Sequence, residues 1–142
     1  MRSLSILIVP LVVLLMAGCG ELASPSDPLG GEPIDQTATF TRVQNEVFTP
    51  TCATIGCHHP LGQQSQLVLT PDVAHAQSVN RPAVQAASLN RVTPNDPANS
   101  YLYRKIIGAG ITGDRMPQGL PPLTEAQIKL VRDWIRRGAP ND

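Results

Sequence analysis

Apolar residues recur with a helical period near both ends of the region that can fold. In "TATFTRVQNEVF", Phe40, Val43, Val47 and Phe48 fall at i, i+3, i+7 and i+8, one face of a helix. Thr41 and Gln44 have capping-box spacing, Thr37 and Thr39 are competing starts, and Pro50 is expected to end the helix just before Cys52. The C-terminal pattern is stronger. Ile128, Val131, Trp134 and Ile135 form an apolar stripe, Thr124 and Gln127 form a capping box, and Leu123 can staple onto Ile128. Lys129, Arg132, Arg136 and Arg137 are expected to face water, and Gly138 and Pro140 stop the helix. Between these ends, "TPDVAHAQSV" predicts a short helix with Thr70 as N-cap and Pro71 at its first position. "SYLYRKIIG" predicts another, capped by Ser100, with Leu102 and Ile106 on one face and Gly108 as its stop. Leu67 and Leu69 alternate as a short extended piece, and the proline-broken "NRPAVQAASLNRVTPNDPANS" reads as loop. The expected architecture is a few helices joined by proline-rich loops, without convincing strands.

The chain begins differently. "MRSLSILIVPLVVLLMAGC" has one basic residue, a ten-residue apolar run from Ile6 to Leu15, and small residues before Cys19. The run is too short to span a bilayer, so it reads as a secretion signal over residues 1–18. It resembles a bacterial lipoprotein signal, which implies acylation of Cys19 and a membrane anchor. An ordinary signal peptide that happens to contain Cys19 is the alternative. Residues 19–36, rich in Pro, Gly and acids, read as a flexible tether, and residues 37–142 as the folded domain.

Export changes what the cysteines mean. Of three, Cys19 is assigned to lipid, so Cys52 and Cys57 remain as a pair in an oxidising compartment, where free thiols do not persist unless engaged. Charge adds an exclusion. Arg2 is the only one of eleven basic residues in the leader, leaving ten against eleven acidic ones. Such near-neutrality argues against nucleic acid as a partner. The domain has one Trp, two Tyr and two Phe, a thin core that a large apolar prosthetic group would supplement.

The chemistry concentrates in "TPTCATIGCHHP". Cys52, Cys57 and the adjacent His58 match the elements of a c-type haem site, in which two thioethers attach the haem and the following histidine binds iron. The spacing is longer than C-x-x-C-H. On a helix a three-residue step sets the thiols about 60° apart, and a five-residue step about 140°, so the added residues must bulge, which Gly56 allows. Two other readings stay open on these residues. One is a Cys52–Cys57 disulfide in a haem-free domain, and the other a bare zinc or copper site from Cys52, Cys57, His58 and His59. Haem needs a second axial ligand, commonly a thioether. Met116, in the loop "GDRMPQGLPP", is the candidate, and His75 is its competitor.

Several segments in order, "CATIGCHHP", "RVTPNDPANSYLYRKI" and "DRMPQGLPPLTEAQIKLVRDWIRRGAP", resemble the small cytochrome c-like domains of bacterial secreted proteins and lipoproteins. The likeness covers roughly residues 40–140. It implies an all-α cytochrome c-like fold around one covalent haem c, with Cys52 and Cys57 as attachment sites, His58 as proximal ligand and Met116 as distal ligand. With both iron faces occupied, it implies an electron carrier serving a redox partner protein rather than an enzyme. The remaining residues have plainer readings. His59 is expected at the exposed haem edge and His75 on a helix surface. Arg91 and Arg115 are solvated charges that could pair with haem propionates, Tyr101 and Tyr103 pack or reach a propionate, and Trp134 packs between the first and last helices. No Ser-His-Asp set, phosphate-binding glycine loop or paired carboxylate cluster is present.

Overall fold

The computed structural model describes residues 31–142. The expected signal peptide, the acylated Cys19 and most of the tether lie outside the described residues. Among the described residues no helix is long and apolar enough to cross a membrane.

Helix α1 spans Phe40–Val43, and Thr39 caps it by accepting the Arg42 N–H at 3.2 Å. Thr39 therefore wins over Thr37 and Thr41 as the start. Pro50 does not end this element. The chain continues as a π-helical stretch over Gln44–Cys52 that contains Pro50 and closes with the Ala53 N–H on the Phe48 carbonyl at 2.7 Å. The wider i→i+5 turn carries the backbone past a residue with no N–H to give. A short helix, α2, covers Ala74–Ser78 after a turn begun at Thr70. Helix α3 covers Tyr101–Ile107 and stops at Gly108, which takes the left-handed φ of +76°. Ser100 stands at its start but does not cap it. Its hydroxyl donates to Asp96 O at 2.8 Å and accepts from the Thr93 N–H at 2.9 Å, tying down the preceding loop instead. Helix α4, Glu125–Arg136, carries the full Thr124/Gln127 capping box.

The domain is not all-α. Strands β1 (Pro82–Ala83) and β2 (Ala86–Asn90) form an antiparallel pair with Pro82 opposite Asn90 and Ala83 opposite Ala86, so the fold is a small mixed domain, about 36 % helical. The pair lies in the segment expected to be loop. Its two-residue connection, Val84–Gln85, lacks the Gly or Asn that marks tight hairpins, and Pro82 sits at a strand's first position, where its missing N–H is tolerated.

The core joins the two ends of the domain. Val43, Val47, Phe48, Val131, Trp134 and Ile135 are essentially fully buried, and each such side chain contributes roughly 1.5–3 kcal/mol by leaving water. Phe40 is the hub: its ring lies 5.5 Å from Trp134, 5.1 Å from His75 and 6.3 Å from Phe48. Trp134 thus packs between first and last helices, and its Nε1 donates to Pro140 O at 2.9 Å. His75 is not a surface residue. It closes the aromatic cluster, and its Nε2 hydrogen-bonds Ala139 O at 2.9 Å.

The charged face of α4 also departs from expectation. Lys129, Arg132 and Arg136 converge on Asp133, a fully buried carboxylate, and the backbone N–H of Asp35 joins them at 3.2 Å. Burial alone would raise the Asp133 pKa, but its hydrogen bonds and ion pair with Lys129, the Asp35 N–H and Arg132 hold it below the ordinary carboxylate value. Glu32 pairs with Arg132 at 2.7 Å, so the chain is attached to α4 from the first residues described. At the other end the Asp142 side chain accepts the Phe40 N–H at 2.8 Å and pairs with Arg137.

Candidate functional site

A cleft with a cavity volume of about 80 Å³, partly open to solvent, lies between the π-helical stretch, the hairpin and α3. That is smaller than most small-molecule and cofactor sites, ~300–1,000 Å³, so a large ligand would fill the open mouth as well as the cavity. Its walls are mainly apolar: Val47 and Phe48 from the π-helix, Leu67 and Leu69 from the extended segment, and Leu102 and Ile106 from α3. Cys52, His58 and Met116 line the same cleft, although Met116 comes from a distant loop. Its charged lining residues are Arg91 and Lys105, and both are cations.

Local backbone bonds explain how Cys52 and His58 reach one wall. The π-helix ends at Cys52, whose carbonyl accepts the His58 N–H at 3.1 Å, so the intervening residues loop outward. Gly56, with φ of +88°, makes the turn within that loop. Gly62 closes it by close approach. A Cβ there would stand 2.6 Å from the Cys57 carbonyl oxygen and 2.7 Å from the Gly56 carbonyl carbon.

His58 is held in a defined tautomer. Its Nδ1 lies 3.2 Å from Leu67 O, which can only accept, so Nδ1 carries the proton and Nε2 keeps its lone pair. Burial pushes the imidazole pKa below its ordinary value, against the opposing pull of the Leu67 and Gln64 carbonyls. The ring is therefore neutral at pH 7. A ring N–H on a backbone carbonyl is the usual support for a metal-binding imidazole.

Cys52 is packed against the core, and burial pushes its thiol up to about 12, with Cys57 adding to the rise. Cys57 is half-buried on the same loop but does not line the cleft. Both cysteines are free thiols in this structure. His59 turns away from the cleft, and its Nδ1 accepts the Leu61 N–H at 3.3 Å. Among the described residues no three His, Cys, Asp or Glu side chains gather as a metal-binding group.

Met116 is placed by α3. Its N–H donates to Lys105 O at 2.9 Å, and Arg115 Nε donates to Ile106 O at 2.8 Å. The Thr112 N–H reaches the Tyr101 hydroxyl at 3.1 Å, so Tyr101 serves the loop as well as the cleft wall. Tyr103 faces α4 instead: burial raises its pKa, and Arg132 and Asp133 are its charged neighbours. Arg91 is a clamp rather than a solvated charge. It donates to Gln77 O at 2.8 Å, Gln66 O at 3.0 Å and Ser65 O at 3.2 Å, holding a turn in which Gln63, Ser65 and Gln66 all have positive φ.

Sequence reasoning missed Leu67 as the partner of His58, and it gave Lys105, part of the segment "RVTPNDPANSYLYRKI", no role. The Leu67 carbonyl carries no sequence signal, because any residue could supply it. Lys105 did carry one: it stands four residues after Tyr101 and one before Ile106, a cation on a buried helical stripe. No protein-family model, curated protein or solved structure matches this chain.

Proposed function

We propose that this domain holds one covalently attached haem c and works as an electron carrier, not an enzyme. The observation that carries the reading is the meeting of Cys52, His58 and Met116 in one apolar cleft, with His58 Nδ1 already engaged by Leu67 O. The residues present fit the group. The imidazole nitrogen and thioether sulfur are donors that suit haem iron, the walls are apolar, and Arg91 is a cation on the lining that would favour its carboxylates. When bound, the haem supplies a one-electron ferric/ferrous couple.

The chain's own residues do the rest. Cys52 and Cys57 supply the attachment thiols, Cys52 from the wall and Cys57 from the loop beside it. His58 offers a neutral Nε2, with the Leu67 carbonyl fixing ring orientation and raising its basicity. Met116 supplies a neutral, soft sulfur, which favours the reduced state. His75 is withdrawn from the competition, since its Nε2 is spent on Ala139 O inside the aromatic cluster. The leader adds a location: export, with Cys19 acylated and the domain tethered at a membrane, where a redox partner protein would meet it.

The test is expression through the export route with haem-maturation factors. The protein should be red, and its haem should survive acid–acetone extraction. Met116→Ala should lower the reduction potential and open the iron to carbon monoxide, while His75→Ala should leave ligation unchanged. A colourless protein with an intact Cys52–Cys57 disulfide would overturn the reading in favour of a haem-free domain.

A further inference from the structure

Among the described residues two charged side chains are buried, Asp133 and Lys105. Asp133 is surrounded by cations. Lys105, 7 % exposed, has no carboxylate partner: its Nζ donates to Thr112 O at 3.1 Å and Asp114 O at 2.6 Å. A buried ammonium is costly unless its protons find acceptors. Here both acceptors belong to one loop.

Apart from the Thr112 N–H on the Tyr101 hydroxyl at 3.1 Å and Arg115 Nε on Ile106 O at 2.8 Å, little else holds that loop. Thr112, Gly113, Asp114 and Arg115 are exposed, and no buried apolar side chain anchors the chain again until Leu123. Met116 follows directly, its N–H on the carbonyl of the same Lys105. One residue of α3 therefore grips the loop twice, by its side chain at residues 112 and 114 and by its backbone at 116. Arg115 adds a second tie, and its side chain lies against Gly108, where a Cβ would come within 3.1 Å of Arg115 Cδ.

We propose that Lys105 is the positioning residue for Met116, a latch whose ammonium holds the 112–116 loop on α3 and thereby keeps the thioether at the cleft. The role of Met116 as iron ligand rests on the haem reading above; the latch does not. The Lys105 stem lies along the apolar wall, so Lys105→Met preserves its packing and removes only the two donor contacts. The acceptors it abandons are in exposed residues and can turn to water. The structure thus separates loss of the latch from loss of the fold.

Amide hydrogen exchange on the full mature chain reads the latch with or without haem. Lys105→Met should speed exchange at Met116 at least about tenfold, while the core amides of α4 at Val131 and Trp134 keep their wild-type protection. Lys105→Gln, too short to reach both carbonyls, should do the same. Unchanged exchange at Met116 in a folded variant overturns the proposal. So does a uniform rise that includes α4, which would make Lys105 a residue of general stability. In haem-loaded protein both variants should retain haem through acid–acetone extraction yet bind carbon monoxide where wild type does not. If wild type carries no haem, the functional reading fails, and the exchange data still decide the latch.

Discussion

In the reduced, haem-free protein, Cys52 should react with iodoacetamide much more slowly than the same residue in the unfolded chain. Burial pushes its thiol from an ordinary 9.0 up to about 12, helped by the neighbouring Cys57. At pH 8 this leaves roughly one Cys52 in 10⁴ as thiolate when folded and roughly one in ten when unfolded, a ~10³-fold deficit. The more basic thiolate is the better nucleophile, and a Brønsted slope of about 0.4–0.5 returns about 15–30-fold. The net slowing is about 30–60-fold. Timed alkylation with mass spectrometry of the Cys52 peptide, in buffer and in urea, measures it directly. The folded-state rate should also keep climbing above pH 9, where the unfolded rate levels off. A Cys52 rate within about threefold of the unfolded one would refute the placement of this thiol against the apolar wall. The same arithmetic bears on the haem-free alternatives, because disulfide exchange and metal binding both begin from a thiolate that the folded wall disfavours.

Gly62→Ala should cost about 1–3 kcal/mol in urea denaturation, because its Cβ would meet the Cys57 backbone rather than a side chain that can turn aside; an unchanged midpoint would mean the loop does not close there. Asp133→Asn should destabilise the domain at pH 7 by about 3 kcal/mol, the low end for breaking a buried pair, since Lys129 is 41 % exposed and water can meet its charge. The Asp133 pKa is lowered on folding, so its contribution is full above the unfolded value near 3.8 and fades as pH falls through the folded one. The wild-type advantage should therefore shrink in denaturation curves below about pH 4; a gap independent of pH would point to packing rather than charge.

How much could be read in advance depended on whether the signal was local. The capping box of α4 and its apolar stripe are local patterns: the box forms, and Val131, Trp134 and Ile135 are buried as expected, while Ile128 is only partly buried and Leu130 takes a place in the core. Gly108 and Gly138 mark helix stops for the same reason, each adopting positive φ. The π-helix through Pro50 was not legible, because the rule that proline breaks helices assumes an i→i+4 ladder. The hairpin lacked its turn residues, β1 has only two residues, and the five residues of β2 do not alternate between buried and exposed. Asp133 stands among the charges of a helix face expected to be wet, and nothing in its local pattern marks it as buried. Its burial depends on the segment around Asp35 folding back, a contact across 98 residues. At the cleft, Cys52, His58 and Met116 were legible as chemical types, since thiol, imidazole and thioether are rare and their neighbours restrict their use. What orients them was not. The Leu67 carbonyl and the Lys105 ammonium act through backbone oxygens, which every residue owns.

The attachment of Glu32 and Asp35 to α4 has a mechanical consequence. If the domain is tethered at its N-terminal end as proposed, any pull reaches it through the first described residues. Here those residues hand the load to Arg132, Arg136 and Asp133, all on the longest helix, beside the aromatic cluster. None of the three lines the cleft, and neither the loop of Cys52 nor that of Met116 lies along that line of force. Under the tether proposed above, tension would enter the domain at α4, away from the loops that carry Cys52 and Met116.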